Sequence, residues 1–323
     1  MPENSLEIQS AGAPGPVLSV VVPILNEEDV IEPLHSRLLQ VLGPPGFDFE
    51  IIFVNDGSKD RSAEMLDSIC RSDPRFKAIH FSRNFGHQPA VTAGLHAARG
   101  QCAVVIDADL QDPPELILEM MKLWREGYSV VYAQKTERQG VSLFKRAAYK
   151  VFYRIVGKIS DIELPVDSGD FSLLDRQVVD LLNSLPERNR YVRGLRAWLG
   201  FKQVALKFDR PPRYAGVTKY PFRKMVAMAF DGIISVSKAP LRLAIYFGFL
   251  ASAGSFILAI IFATQEIKGT SHAARGWAST IVVILFLGGI QLICTGVIGE
   301  FIGRIYDEVK QRPLYVIARS TGL

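Results

Sequence analysis

The stretch Val104-Val105-Ile106-Asp107-Ala108-Asp109-Leu110-Gln111-Asp112-Pro113-Pro114-Glu115 passes abruptly from an apolar run into three aspartates. The apolar half reads as a buried strand. The aspartates would repel one another unless a cation or ligand neutralises them, so the end of this strand is where a site is expected. Pro113 and Pro114 stop the strand, and Pro114-Glu115 suit the first turn of a helix. Asp112 then has two readings, an N-cap for that helix or a direct ligand role.

Working outward, the same arrangement recurs along the first 135 residues. Leu18–Pro23 is followed by Asn26-Glu27-Glu28, Phe49–Val54 by Asn55-Asp56-Gly57-Ser58, Ala78–Phe81 by Ser82-Arg83-Asn84-Phe85-Gly86, and Val130–Ala133 by Gln134-Lys135. Segments with helical spacing lie between them, such as Ile31, Leu34, Leu38 and Leu42, or Met65, Leu66, Ile69 and Cys70. Strands that alternate with helices imply an α/β fold with a mostly parallel sheet, covered on both faces and therefore apolar along its strands. Ligands of such sheets bind beyond the carboxyl ends of the strands, where every one of these polar clusters sits. No Gly-x-Gly-x-x-Gly follows the first strand and no Gly-x-x-x-x-Gly-Lys-Ser/Thr occurs, which argues against a dinucleotide cofactor and a P-loop ATPase.

In an extended segment Asp107 and Asp109 point to one side and face one small site. Mg²⁺ or Mn²⁺ favours oxygen ligands and is held by one or two carboxylates plus substrate phosphates. A calcium loop is the main alternative, but Asp112 and Leu118 stand where it needs Gly and Glu.

Composition places the chain at a membrane. Hydrophobic residues make up 48% of 323, and the excess is concentrated in 243–265 and 276–299, two stretches without a charge. Each is long enough to cross a hydrocarbon core of about 30 Å. Residues 1–17 lack the cationic start and apolar core of a signal peptide and read as a disordered arm. A large domain without an export signal stays in the cytoplasm, and two crossings return the C-terminus there. Arg223, Lys224, Lys238 and Arg242 before the first span and Arg304, Lys310, Arg312 and Arg319 after the second agree, against only Lys268 and Arg275 between them. The expected location is a plasma or inner membrane, multi-pass, with both termini cytoplasmic. Three scattered cysteines fit a reducing compartment. The net charge of +4 gives no reason to expect nucleic acid, and the basic residues near the spans suit anionic headgroups.

Four groups of residues taken in order resemble a known family. Val22-Pro23 with Asn26-Glu27, Val54-Asn55-Asp56-Gly57-Ser58-x-Asp60, Ser82-Arg83-Asn84-Phe85-Gly86-His87 and Asp107-Ala108-Asp109-Leu110-Gln111-Asp112-Pro113-Pro114-Glu115 look like family 2 glycosyltransferases of GT-A fold. The branch they resemble is the polyprenyl-phosphate glycosyltransferases, which include dolichol-phosphate mannose synthases and bacterial enzymes that glucosylate undecaprenyl phosphate. Asp167-Ser168-Gly169-Asp170-Phe171-x-Leu173-Leu174-Asp175-Arg176 and Gly216-Val217-Thr218-Lys219-Tyr220 extend the match.

The resemblance implies a UDP- or GDP-linked sugar donor. Asp56 would accept the ring N–H of the base, with Pro23, Glu27, Ser58 and Arg83 around the same nucleotide-sugar pocket. Asp107 would sit by the ribose, and Asp109 and Gln111 would hold the metal on the diphosphate. Arg213 and Lys219 would close over the donor. It divides the chain into a GT-A catalytic domain over 18–215, an interfacial amphipathic segment over 216–241, two transmembrane helices within 242–303 and a cytoplasmic tail over 304–323.

The acceptor is argued separately. Processive synthases of this family carry Gln-x-x-Arg-Trp, which is missing here; Arg196-Ala197-Trp198 is the nearest approach. Phe222, Met225, Val226, Phe230 and Ile233 share one helical face, which suits a helix lying in the headgroup layer. A lipid phosphate needs basic residues so that its charge does not oppose the donor's. Arg138, Lys145 and Arg146 follow the fifth strand, where the resemblance also places acceptor contacts. Asp167 or Asp170 would orient the acceptor or a sugar hydroxyl, and a role as formal base is doubtful because a phosphate dianion needs no deprotonation. The expected reaction is an inverting transfer of a hexose, glucose first, from UDP to polyprenyl phosphate. Alternatives are mannose, N-acetylglucosamine or amino-arabinose donors, or a non-catalytic nucleotide-sugar-binding anchor. Gly299-x-x-x-Gly303 and the resemblance point to a homo-oligomer.

Overall fold

The computed structural model describes residues 15–135, 168–188, 190–209, 239–267 and 277–323. Its first half is the alternation read from the sequence: β1 (Leu18–Ile24), α1 (Glu28–Leu42), β2 (Phe49–Asn55), α2 (Ser62–Ser72), β3 (Phe76–Phe81), α3 (His87–Ala97), β4 (Cys102–Val105), α4 (Leu116–Arg125) and β5 (Val130–Lys135). Then come β6 (Ser168–Asp175), α5 (Arg176–Ser184), α6 (Val192–Trp198), β7 (Gln203–Phe208), the long helices α7 (Ala239–Ile267) and α8 (Trp277–Lys310), and β8 (Ile317–Thr321).

The eight strands form one sheet in the order β7-β5-β6-β4-β1-β2-β3-β8. β1 pairs in parallel with both β2 and β4, and β2 with β3. The chain therefore leaves β1 toward β2 on one side and returns beside it as β4, which makes the ends of β1 and β4 a topological switch point. The other half differs from a simple parallel sheet. β6 inserts between β4 and β5 and runs antiparallel to both, while β5 pairs in parallel with β7.

Alternation along β1 sorts the core into two layers. Val20 and Val22 face α1 and α4 together with Ile31, Leu34, Leu38, Phe53, Ile117 and Met120. Val21 faces the opposite layer, with Val91, Leu95, Val179 and Leu182 of α3 and α5. The apolar positions of α1 read from the sequence, Ile31, Leu34, Leu38 and Leu42, are all fully buried. Burial on this scale, at about 25 cal/mol per Å² of apolar surface, is what holds helices on both faces. α3 comes close enough to β1 that a Cβ on Gly94 would lie 2.1 Å from Val21 Cγ1.

Two sequence expectations change. Residues 16–17, placed in the arm, already join the sheet: Val17 N–H donates to Asp48 O at 2.8 Å, and Gln101 N–H donates to Pro16 O at 3.1 Å. Residues 304–323, a tail in the sequence reading, are the end of α8 and an edge strand, β8, paired antiparallel with β3. An unpaired β3 would leave a row of open backbone groups, and β8 covers it. Of the two membrane spans in the sequence reading, one has a counterpart among the described residues, Phe286–Lys310, that is long and apolar enough to cross. That stretch begins later than expected and runs past Glu300, whose carboxylate pairs with Arg304 one turn on at 3.2 Å. α7 encloses the other expected span, with a shorter apolar stretch over Ala244–Leu258, and packs against α8.

Candidate active site

The polar ends of β1, β2, β3 and β4 meet at one edge of the sheet. β4 ends at Val105, so the aspartates do not continue the strand as the extended-segment argument has it. The chain turns instead, with Leu110 in the left-handed region at φ 57°. The turn still alternates: Ala108 and Leu110 are buried while Asp107 and Asp109 are half-exposed. Apolar anchoring of every second residue leaves both carboxylates toward the edge. Asp109 Oδ1 accepts the backbone N–H of Gln111 at 3.1 Å, and Gln111 and Asp112 are buried. The N-cap reading of Asp112 does not hold, because α4 starts at Leu116 with Glu115 at its cap. Leu116 and Ile117 bond instead to the carbonyls of Pro113 and Pro114. Glu115 makes a two-pronged ion pair with Arg37 of α1, at 2.9 and 3.0 Å, which fixes where the segment after the aspartates ends.

β6 supplies the second carboxylate. Its antiparallel register sets Val105 opposite Ser172 at the end of the ladder, and Asp170 lies two residues before Ser172 on β6. His87, the first residue of α3, faces both Asp107 and Asp170. Its Nε2 is 3.1 Å from Asp170 Oδ2 and 3.9 Å from Asp107 Oδ1. Arg193 of α6 pairs with the other Asp170 oxygen, Nε to Oδ1 at 3.1 Å, as an ion contact without hydrogen-bond alignment. Arg196, one turn on, is 1% exposed, lies 5.2 Å over the Tyr132 ring, and among the described residues has no hydrogen-bond partner for Nε and Nη2.

This surrounding sets the charges. Burial would raise the Asp170 pKa, but the His87 hydrogen bond and the charges of Arg193, His87 and Arg196 bring it down to about 2. Burial would likewise lower His87, and the hydrogen bond to Asp170 with the charges of Asp107 and Asp170 raises it above 6.5. Burial pushes Arg196 down to about 10, with Asp170 opposing, so it stays a cation.

The loops after β1, β2 and β3 are tied into one body. Asn26, at φ 53°, donates its N–H to Ser58 Oγ (2.9 Å) and accepts Lys59 N–H on Oδ1 (2.8 Å). Glu27 N–H donates to Ser62 Oγ at 3.1 Å and Glu28 N–H to Asp60 Oδ2 at 3.2 Å. Asp56 is buried and accepts the N–H groups of Phe85 and Gly86 at 2.6 and 2.9 Å. Its pKa is raised by burial, against those two amides. Gly57, at φ 68°, passes so close to the next loop that a Cβ would lie 2.5 Å from Arg83 C. Arg83 folds along its own loop, its guanidinium 4.1 Å over the Phe85 ring. Pro23, half-buried in β1, pairs with Val54.

Pro23, Glu27, Asp56, Ser58, Arg83, Asp107, Asp109, Gln111 and Asp170 thus all lie at the same edge. Arg138, Lys145, Arg146, Asp167, Arg213, Lys219 and the amphipathic stretch up to Lys238 lie outside the described residues. The sequence reading missed His87, Arg193 and Arg196 as site residues. Their signals were present but weak: His87 closes the Phe85-Gly86-His87 motif, and the two arginines are three apart, one face of a short helix. Among the described residues no group of three or more His, Cys, Asp or Glu side chains is placed to hold a metal ion. The Asp109 carboxylate and the Gln111 amide, two residues apart, offer oxygen donors of the kind that Mg²⁺ or Mn²⁺ uses together with substrate phosphates.

Residues 19–182 match the family described as glycosyl transferase family 2. The chain is similar to an uncharacterized glycosyltransferase of Bacillus subtilis, 51% identical over 94% of each chain. It is similar to a prophage-derived bactoprenol glucosyl transferase of Shigella flexneri, 38% identical over 94% of this chain and 98% of the other. Among solved structures, glucosyl-3-phosphoglycerate synthase of Mycobacterium tuberculosis matches with a TM-score of 0.47 at 21% identity, covering 67% of this chain and 77% of that one.

Proposed function

The chain belongs to glycosyl transferase family 2, and we propose that it moves a hexose, glucose first, from a UDP-sugar to a polyprenyl phosphate at the cytoplasmic face of a membrane. The observation that carries this reading is the gathering of Asp107 and Asp170 around His87, whose Nε2 lies 3.9 and 3.1 Å from their carboxylates, with Asp109 in the same turn as Asp107. The similarity to a relative named bactoprenol glucosyl transferase over nearly all of both chains supports the lipid acceptor and the sugar.

The donor would lie over the tied loops, with the base toward Asp56, Pro23, Glu27, Ser58 and Arg83 and the ribose by Asp107. Both Asp56 oxygens already accept an amide, and each keeps a second lone pair for a base N–H. Asp109 and Gln111 would hold Mg²⁺ or Mn²⁺, which when bound neutralises a diphosphate. Arg193 and Arg196 add a fixed positive field beside Asp170. Arg138, Lys145 and Arg146 would take the acceptor phosphate, with Arg213 and Lys219 closing over the donor. A phosphate oxygen of the lipid forms its bond to the anomeric carbon from the face opposite UDP. The bond to UDP breaks, and the configuration inverts. The acceptor is largely a dianion at neutral pH, its second pKa near about 6, so no proton has to be removed. Asp170, charged and fixed by His87 and Arg193, would orient an acceptor or sugar group, as would Asp167.

Connectivity supports an even number of crossings for this placement. The chain leaves the sheet after β7 and rejoins it at β8, so the segment between crosses an even number of times. With Phe286–Lys310 long enough to cross, α7 is the described helix that supplies the other crossing. Phe249 and Leu250 on α7 and Leu292 and Ile293 on α8 are each at least 66% exposed, an apolar surface that suits lipid. The stretch 216–241 would lie at the interface. Among the described residues nothing lies within 4 Å of a Cβ added to Gly299 or Gly303, a face that suits close packing of a second copy.

The test is incubation of the purified full-length protein with radiolabelled UDP-sugars, Mg²⁺ and undecaprenyl phosphate. Label moving from UDP-glucose into the lipid phase supports the reading. No lipid-soluble label from any donor would leave the non-catalytic anchor.

A further inference from the structure

The last strand of the chain reaches the nucleotide loop through a continuous run of hydrogen bonds. After α8, Tyr315 stacks on Phe81, with centroids 5.0 Å apart, and its hydroxyl lies 2.9 Å from His96 Nδ1. β8 then pairs with β3, setting Arg319 beside His80 and Thr321 beside Ala78. Thr321 Oγ1 donates to Asp67 Oδ1 at 2.7 Å, and Arg319 Nη1 lies 2.5 Å from Asp67 Oδ2. Asp67 Oδ1 also meets His80 Nε2 at 3.2 Å. On the far side of the ring, His80 Nδ1 lies 3.0 Å from Asn55 Nδ2, and Asn55 Oδ1 accepts Ser58 N–H at 2.9 Å. Asp67, His80 and Asn55 are all buried.

Donor and acceptor chemistry fixes the direction of this run. Burial would raise Asp67, but Thr321, Arg319 and His80 lower it below 3.8, so it is a carboxylate and accepts only. His80 Nε2 must then carry the ring proton, and Nδ1 must accept from the Asn55 amide. Asn55 is left presenting its carbonyl to Ser58. Burial first, and the Arg319 charge second, hold His80 below 6.5 against Asp67, so the neutral ring is the form at neutral pH. A proton on Nδ1 would face the Asn55 amide donor to donor. The amide would have to turn, and Ser58 N–H would lose its acceptor.

We infer that Arg319 and Thr321 are positioning residues for the donor, holding the Asn55–Ser58 loop in shape through Asp67, His80 and Asn55. This rests on the reading of Asp56 and Ser58 as part of the nucleotide pocket. Ser58 passes the constraint on, since its hydroxyl accepts Asn26 N–H from the loop after β1. The run involves neither Asp109 and Gln111 nor the residues proposed for the acceptor, so its loss acts on the donor alone. A strand that merely covered the β3 edge would affect stability without that selectivity.

The experiment uses full-length protein in detergent, with UDP binding followed by calorimetry in the presence of Mn²⁺ and transfer kinetics with donor and acceptor varied in turn. Arg319→Ala and Thr321→Val are each expected to raise the UDP Kd and the donor KM about fivefold, the size of one lost hydrogen bond. The kcat and the acceptor KM stay within about twofold of wild type, since neither residue approaches the expected chemistry. Arg319→Lys restores most of the loss, and Ser320→Ala, on the same strand with its side chain outside the run, changes nothing. In Arg319→Ala the donor defect deepens as pH falls from about 8 to about 6, because His80 then faces only Asp67 of α2 and Asn55 of β2 and protonates more readily. Thr321→Val keeps the size of its side chain and serves if Arg319→Ala melts early. Unchanged Kd and donor KM in active variants, or an equal change in acceptor KM, would reduce β8 to an edge cover. If the wild type transfers sugar and the variants match it, this inference alone fails. A wild type that neither binds UDP nor transfers sugar takes down the donor reading and this inference with it.

Discussion

Asp170 Oδ2 accepts from His87 Nε2 at 3.1 Å, a contact between residues 83 positions apart that holds a carboxylate charged at the centre of the candidate site. An anion held at about 2 is a poor proton acceptor at neutral pH. The pH profile of kcat/KM is therefore expected to carry no limb from Asp170 between about pH 5 and 8, its acid limb instead following the acceptor phosphate near about pH 6. The pair also marks stability. His87 titrates at 6.5 unfolded and higher when folded, so its contribution is full below 6.5 and is lost as pH rises through the folded value. Asp170, depressed from 3.8 to about 2, contributes fully above 3.8 and loses that contribution as pH falls through 2. Melting curves of wild type and His87→Gln should differ most near about pH 6 and converge toward about pH 9. A constant difference across that range would show that His87 is held by packing alone.

Asp109→Asn keeps an oxygen to accept the Gln111 N–H while removing a charge. If a divalent ion on the donor diphosphate depends on that charge, transfer should fall about 10²- to 10³-fold, with the melting temperature within about 2 °C of wild type. Chelation of the wild type with EDTA should give the same loss, reversed by Mg²⁺ or Mn²⁺. Full activity in EDTA would remove the metal from the mechanism.

Gly57→Ala tests how tightly the nucleotide loop is tied to its neighbour. The residue sits at φ 68°, and the new methyl would overlap the backbone of Arg83 and Asn84 at 2.5 and 2.7 Å. We expect a loss of about 2 kcal/mol or more, from the left-handed backbone and the overlap together, read from denaturant unfolding. The donor KM should rise with it, because Asp56 anchors the same two loops through Phe85 and Gly86. Wild-type stability would mean that the Arg83–Gly86 loop moves aside freely.

The return of β8 to the sheet makes a prediction about topology. Tags on the N- and C-termini should be protected together or exposed together when sealed membrane vesicles are treated with protease, and a tag placed in the 268–276 connection should behave oppositely. Termini on opposite sides would require an odd number of crossings, which the pairing of β8 with β3 forbids.

Much of this was legible in the sequence because the information is local. The apolar run of Leu18–Ile24 and the helical repeat of Ile31–Leu42 involve residues a few positions apart, and each strand end announces itself by a change from apolar to polar. Those signals placed Asp56, Asp107 and Asp109 at one edge, even though the extended geometry argued for Asp107 and Asp109 gave way to a turn at Leu110. Charge-free runs marked the long helices for the same reason. What only the tertiary structure decided is which distant segments meet. The insertion of β6 brings Asp170 to His87, which also faces Asp107, α6 brings Arg193 to Asp170, and Thr321 reaches Asp67 across 254 positions. Pairings over such distances depend on the register of a whole sheet closing at once, and no neighbouring residues encode them.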